Sequence, residues 1–203
     1  MVSGAVAPIT SNPLVRVRYL IRGVASEETQ EQSLDVLCKC SLFHDSYSFQ
    51  VLNSKKWLLI CNLFFSLQNG LAYDNLAVLL WNSFGTMSVL LKIITSAYRP
   101  LLSDGLTERA VTQVCNAIAL FQCVASHPDT RIPFIRATMP VYLYPFLNTM
   151  SNERSYECLR ITSLGVIGSL AKVASPTTFC SFFSCQLLAE YIHTYIEVMM
   201  ELN

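Results

Sequence analysis

One template occurs twice in this chain, at a spacing that limits the folds open to it. A long apolar stretch with helical spacing ends in the tripeptide Val-Ala-Ser at residues 124–126, and a second such stretch ends in the same tripeptide at residues 173–175. A proline follows each copy closely, and the two copies lie 49 residues apart. A helical unit repeated at such a period is typical of solenoids, in which each unit buries its apolar side against its neighbours. Because solenoids commonly bind partners along an extended face, the repeat favours a binding protein over an enzyme.

Prolines, glycines and helix-capping residues divide most of the chain into predicted helices. The predicted helices start at Pro13, run from Asp74 to Tyr98, start at the cap Thr107, and run from Pro128 to Ala137 and from Pro140 to Asn148. A long, a short and a medium helix follow one another in each copy of the template, which is the plan of an armadillo unit. No β-hairpin dipeptide separates runs of alternating apolar residues, so no strand is predicted.

The predicted fold is therefore an all-α, armadillo-type right-handed helical solenoid with an incomplete number of repeats. We expect one domain over residues 1–203, with N-terminal helices in 1–40, an atypical insertion in 41–70, and about three armadillo units in 71–203. The last predicted helix covers residues 186–202.

Charge and hydrophobicity exclude some classes of partner. The 14 basic and 14 acidic residues cancel, so nucleic-acid binding would require a local basic site. The longest apolar run, Trp57–Leu67, is far shorter than the roughly 20 residues that a membrane-spanning helix needs. The sequence predicts a protein without a membrane segment.

Neither a metal site nor an enzyme active site is apparent. The chain has eight cysteines but no secretory signal, so we expect reduced thiols. Cys38 and Cys40 are separated by one residue, whereas zinc-binding pairs commonly have two or more between them. The three histidines lie far apart in the sequence, and no nucleophile elbow, phosphate-binding loop or His-Glu-x-x-His motif occurs. We expect no metal, no cofactor and no catalysis.

Several long strings carry a resemblance to a known family. They are LLWNSFGT at 79–86, VCNAIALFQCVASHPDTR at 114–131, YLYPFLNT at 142–149 and YECLRITSLGVIGSLAK at 156–172. These strings are similar to the Rcd ("required for cell differentiation") family, the armadillo-repeat subunit of the Ccr-Not mRNA deadenylase complex. The likeness runs nearly without gaps over residues 71–172, which is half of the chain.

The resemblance implies a non-catalytic adaptor that supports mRNA deadenylation, mRNA decay, translational repression and RNA-mediated silencing. Its implied partners are the large Not scaffold subunit and short linear motifs of RNA-binding proteins, and its implied location is the cytoplasm, with the nucleus as a second location. Carried over residue by residue, the scaffold-binding surface comprises Asn82, Phe84, Ser88 and Thr95. The groove that takes peptide motifs comprises Cys158, Thr162 and Gly165, and by the internal repeat Asn116.

Two of these residues have a second interpretation. Phe84 fits the apolar pattern of its own predicted helix, so it is either an exposed anchor for a partner or a core residue. Gly165 lies inside a predicted helix, where glycine costs roughly 1 kcal/mol relative to alanine. It either opens a slot for a partner's side chain or allows a neighbouring helix to pack closely.

The chain also departs from the family's pattern. Family members usually have an arginine at the position of Gln113 and a tyrosine at that of Cys158, so the groove differs in charge and shape. The segment 41–70 replaces a short connector, and it is either a lineage-specific insertion or an unspliced segment. The chain ends at Asn203, before the units that complete the family's array.

Three alternatives stay open at this stage. The chain could act as a nucleic-acid-binding protein or transcriptional cofactor that holds single strands through a basic surface. Candidates for that surface are Arg109, Arg131, Arg136, Arg154 and Arg160. The chain could also be a non-functional fragment from an imperfect gene model, or it could form a homodimer through its open end.

Overall fold

A computed structural model describes residues 13–42, 75–103 and 105–171. The α-helices are α1 (Pro13–Val24), α2 (Gln30–Leu42), α3 (Leu76–Asn82), α4 (Thr86–Ser96), α5 (Tyr98–Leu102), α6 (Glu108–Ser126), α7 (Pro128–Arg136), α8 (Tyr144–Leu147) and α9 (Arg154–Ala171). A short 3-10 helix, Met139–Leu143, precedes α8. None of the residues in these three ranges belongs to a β-strand.

Three long helices lie side by side and organise the rest. The central helix is α6, which packs against α2 on one side and against α9 on the other. Its apolar side is fully buried at Ile118, Leu120 and Phe121, and the ring of Phe121 meets that of Phe134 edge-on at 5.2 Å. The prediction of an all-α helical solenoid is confirmed, and its assignment to the armadillo class stays a prediction.

Three of the predicted features lie wholly or mostly outside the described residues. These are most of the predicted insertion at 41–70, the second copy of the template at 173–175 and the predicted last helix. The first two residues of the insertion belong to α2, which ends at Leu42. The third helix of the unit, predicted to start at Pro140, is a 3-10 helix followed by the short α8.

The single helix predicted from Asp74 to Tyr98 is wrong. Asp74 lies outside the described residues, and the segment after it forms α3, α4 and α5, with α3 and the α4–α5 stretch inclined at 91°. Gly85 breaks the first pair, because it adopts a φ of 75°, in the left-handed region that glycine accepts without steric cost. The apolar spacing continues across this break because Leu80 and Leu90 are buried in the same core, and periodicity alone cannot show the break.

Among the described residues, no single helix is long and apolar enough to cross a membrane. The bent pair formed by α3 with the α4–α5 stretch reaches that threshold by length and composition only.

The turns after α1 and after α6 have the same pattern of side-chain to backbone hydrogen bonds. In both places side chains donate to backbone carbonyls six residues earlier: Thr29 to Gly23 at 2.9 Å, Gln30 to Val24 at 2.9 Å, Thr130 to Val124 at 2.7 Å, and Arg131 to Ala125 at 3.0 Å. These bonds satisfy carbonyls that have no partner within their own helix. Both turns occur at a Val-Ala-Ser tripeptide, since residues 24–26 carry a third copy that the sequence analysis missed.

Candidate interaction surfaces

Phe84 projects fully into solvent from the turn between α3 and α4. Its relative exposure is 107%, so its ring packs against nothing in the described part of the chain. The turn is held from both sides, because Leu80 is 0% exposed and Thr86 is 4% exposed. The interpretation of Phe84 as a core residue is therefore wrong, and the ring is a rigidly presented apolar knob.

The other residues of the predicted scaffold-binding surface lie on the same pair of helices. Asn82 is exposed at the end of α3, and its side-chain amide donates to the carbonyl of Val78 at 2.8 Å. Ser88 and Thr95 are seven residues apart on α4 and therefore share one side of that helix. Ser88 is exposed and Thr95 is partly exposed. We call Asn82, Phe84, Ser88 and Thr95 the knob surface.

The opposite side of α4 explains why this surface is outward-facing. Leu90 and Ile94 are completely buried and Ile93 is 8% exposed. The hydroxyl of Thr95 donates to the carbonyl of Leu91 at 2.9 Å and to that of Lys92 at 3.2 Å. The knob surface thus combines one apolar ring with surrounding short polar side chains, and protein interfaces commonly have such an aromatic centre and polar rim.

The predicted peptide groove lies at the seam between α6 and α9. The hydroxyl of Thr162 donates to the carbonyl of Cys158 at 2.7 Å, and the side chain of Thr162 is also hydrogen-bonded to that of Cys115 across the seam. Burial raises the pKa of the Cys115 thiol to about 11, with the nearby Cys158 thiol contributing in the same direction. The Cys115 thiol is therefore protonated at neutral pH and suited to packing, since nucleophilic chemistry needs the thiolate.

The predicted slot at Gly165 is filled by this chain's own Gln122. A Cβ atom at Gly165 would lie 2.7 Å from Oε1 of Gln122. The glycine thus permits α6 and α9 to pack closely, which is the second of its two interpretations. A partner's side chain would have to displace Gln122 to enter there.

Asn116, by contrast, is not the neighbour of Gly165. It is partly exposed on α6, while the three atoms nearest to a Cβ at Gly165 all belong to Gln122, further along the same helix. Equivalent positions in successive repeats lie on equivalent sides of their helices but need not touch. That Asn116 and Gly165 line one groove stays a prediction.

Two glycines of α9 offer a matched test of this packing. Among the described residues a Cβ at Gly168 would meet nothing within 4 Å, so we expect Gly168→Ala to stabilise the fold by about 0.5 to 1 kcal/mol through helix propensity. Gly165→Ala has the same propensity gain but must move Gln122, so its net gain should be smaller or negative. Chemical denaturation of the two variants measures the difference. Equal stabilisation by both alanines would contradict close packing at Gly165.

Most of the arginines proposed for a nucleic-acid surface are engaged within the protein. Arg109 forms an ion pair with Glu31 of α2. Arg131 is 8% exposed, and its guanidinium donates hydrogen bonds to backbone carbonyls of α6. Arg160 donates to the carbonyls of Thr149 and Ser151 at 3.0 and 2.6 Å. These three guanidinium groups hold helices and loops together, which leaves Arg136 and Arg154 as isolated candidates.

The histidine in the described part of the chain, His127, has a structural role. His127 caps α7, since its Nδ1 accepts the backbone N–H of Asp129 at 3.2 Å. Within the described ranges, no group of three or more histidine, cysteine, aspartate or glutamate side chains is placed to hold a metal ion.

Three residues that define these surfaces were not predicted from the sequence. Gln122 and Cys115 determine what the α6–α9 seam can accept, and Gly85 determines where Phe84 points. Only Gly85 left a signal in the sequence, because a glycine inside a helical pattern indicates a possible break.

A family model described as "Cell differentiation family, Rcd1-like" matches residues 20–201. The chain is 48% identical over 116 residues to "Cell differentiation protein rcd1" of Schizosaccharomyces pombe, over 57% of this chain and 41% of that protein. It is 53% identical over 100 residues to "Protein CAF40" of Saccharomyces cerevisiae, over 49% of this chain and 27% of that protein. The matched region thus spans less than half the length of each of these relatives.

Proposed function

This chain belongs to the Rcd1-like cell differentiation family, and from that premise we propose that it is a non-catalytic adaptor subunit of the Ccr-Not mRNA deadenylase complex. It docks on the large Not scaffold subunit through the knob surface. Through the side of α6 and α9 that carries Asn116, Cys158 and Gly165 it holds short linear motifs of RNA-binding proteins. In this role it supports deadenylation, mRNA decay and translational repression. We propose the cytoplasm as its location and the nucleus as a second one.

The full exposure of Phe84 is the observation that carries this proposal. A large aromatic side chain in water gains nothing from its own fold, whereas burial of such a ring in a partner contributes strongly to an interface. The ring is also pre-positioned by two anchored helices, so little conformational entropy is lost when a partner covers it.

The chemistry of the described residues supports an adaptor. The Cys115 thiol is protonated because burial raises its pKa, and His127 serves as the cap of α7. Both residues thus have structural roles, whereas exposed features such as Phe84 are of the kind that proteins use for binding.

Co-purification tests the proposal directly. The full chain is mixed with the purified segment of the Not scaffold that binds Rcd-family subunits, and the two are separated by size-exclusion chromatography. We expect a stable complex in which both proteins elute together. Separate elution of a folded chain and a folded scaffold segment would contradict the adaptor role and favour a non-functional fragment.

A further inference from the structure

The outer side of α1 is a basic surface that the proposed function does not use. Val15, Arg18, Tyr19 and Arg22 follow one another at helical spacing along this side, and we call them the α1 stripe. Arg18 and Arg22 are exposed, Val15 is 46% exposed and Tyr19 is half-buried. Most of the stripe precedes the family match, which begins at residue 20.

The stripe is fixed in place by the opposite side of the same helix. Val17 and Val24 are completely buried, and Ile21 is 2% exposed. They anchor α1 to α2 and to the α3–α4 pair. The arginines therefore project from a firmly packed helix, which reduces the backbone entropy that binding would cost.

The charges of the stripe are not compensated within the described part of the chain. Helix α1 contains no acidic residue, and neither the Arg18 nor the Arg22 guanidinium has an ion pair or hydrogen bond among the described residues. The two acids of α2 are already paired, Glu31 with Arg109 and Asp35 with Lys39.

We infer that the α1 stripe is a docking site for an acidic, helical peptide segment of a partner protein. Arg18 and Arg22 are one helical turn apart, which matches carboxylates four residues apart on a helical peptide. Guanidinium groups bind carboxylates through paired N–H donors, and Val15 with the ring of Tyr19 supplies apolar contact beside them. The site is separate from the knob surface, which lies on α3 and α4.

The length of the stripe favours a peptide over a nucleic acid. The two guanidinium groups cover one turn of helix, and the exposed acids Glu27 and Glu28 lie three and four residues after the end of α1 at Val24. A phosphate chain continuing in that direction would meet these carboxylates, whereas nucleic-acid binding draws its affinity from many successive phosphate contacts. A short acidic segment can end before it reaches them.

Fluorescence anisotropy with the full chain tests the site. The probe is a labelled helical peptide with glutamates four residues apart and leucines beside them, and its counterpart carries glutamine in place of glutamate. The test variant is Arg18→Glu with Arg22→Glu. Its matched control, Arg99→Glu with Arg136→Glu, makes the same change in net charge at two other exposed arginines.

We expect the wild-type chain to bind the glutamate peptide in preference to the glutamine peptide. The stripe variant should bind it at least about tenfold more weakly, and the control variant should stay within about twofold of wild type. Equal losses in both variants would overturn the proposal, because they would indicate attraction by net charge alone. Failure of the wild type to bind the glutamate peptide would overturn it too. The proposal would also be overturned if the wild type bound labelled oligo(dT) more tightly than the glutamate peptide and only the stripe variant lost that binding.

Discussion

Phe84→Ala should lower the affinity for the Not scaffold's docking segment by about 30-fold to 1000-fold, while the stability of the free chain stays unchanged. The first effect follows from the loss of a large aromatic anchor, which typically costs about 2 to 4 kcal/mol of binding free energy when the ring is buried in the partner. The second follows from the ring's exposure of 107%, since a side chain that contacts nothing stabilises nothing. Isothermal titration calorimetry measures the affinity, and chemical denaturation measures the stability.

Met150 provides the matched control for this experiment. It is a large apolar side chain that is 93% exposed, and it lies in the loop before α9 and not on α3 or α4, which carry the knob surface. Met150→Ala removes a comparable exposed apolar group, so it should leave scaffold affinity within about twofold of wild type. If both variants bind as tightly as wild type, the knob surface is not the scaffold contact.

The dependence on salt distinguishes an apolar contact of Phe84 with the scaffold from an electrostatic one. The interaction of a phenyl ring with an apolar pocket is not screened by ions. The ratio of the wild-type affinity to the Phe84→Ala affinity should therefore be the same at low and high ionic strength. A ratio that falls toward one as salt rises would indicate that the substitution acts through neighbouring charges such as Lys92.

The helical solenoid was accessible from the sequence because it depends on repeated local signals. Apolar spacing, the cap at Thr107 and the proline at 128 each report on structure within a few residues, and the structure confirms both helix starts. Thr107 accepts the backbone N–H of Ala110, and Pro128 occupies the first turn of α7. Such signals need no knowledge of what packs against the helix.

The surfaces were less accessible because they depend on contacts between distant segments. Whether Phe84 is core or surface depends on the break at Gly85, which the continuous apolar pattern hides. Whether Gly165 is a slot or a packing contact depends on Gln122, which lies 43 residues earlier in the chain. No local pattern links such a pair, so the sequence left both interpretations of each residue open.

Arg131 shows the same difficulty with a charged residue, and it yields the largest expected change in stability. Arginines in a solenoid suggest a basic surface, but this side chain is only 8% exposed and burial lowers the pKa of its guanidinium. Its Nε donates to the carbonyl of Ala125 at 3.0 Å, and its Nη2 donates to that of Ser126. Together with Thr130, which bonds the carbonyl of Val124 at 2.7 Å, it satisfies the end of α6.

Arg131→Ala should therefore destabilise the fold by about 2 to 4 kcal/mol. The variant loses two hydrogen bonds from a charged donor and leaves two carbonyls at the end of the central helix without that partner. Arg131→Lys should lose less, because an ammonium group keeps the charge but cannot place two donors as the planar fork does. The measurement is the midpoint of urea denaturation at unchanged m-value, which isolates a change in stability from a change in the surface exposed on unfolding.

Arg136→Ala is the matched control for the stability loss expected of Arg131→Ala. It lies on the same helix, α7, and is exposed, so Arg136→Ala should change stability by no more than about 0.5 kcal/mol. Equal midpoints for Arg131→Ala and Arg136→Ala would contradict a structural role and return Arg131 to the candidates for a basic binding surface. A large loss for Arg131→Ala alone would instead mean that this cation holds α6 against α7, so that Arg131 is unavailable to any anionic partner while the chain is folded.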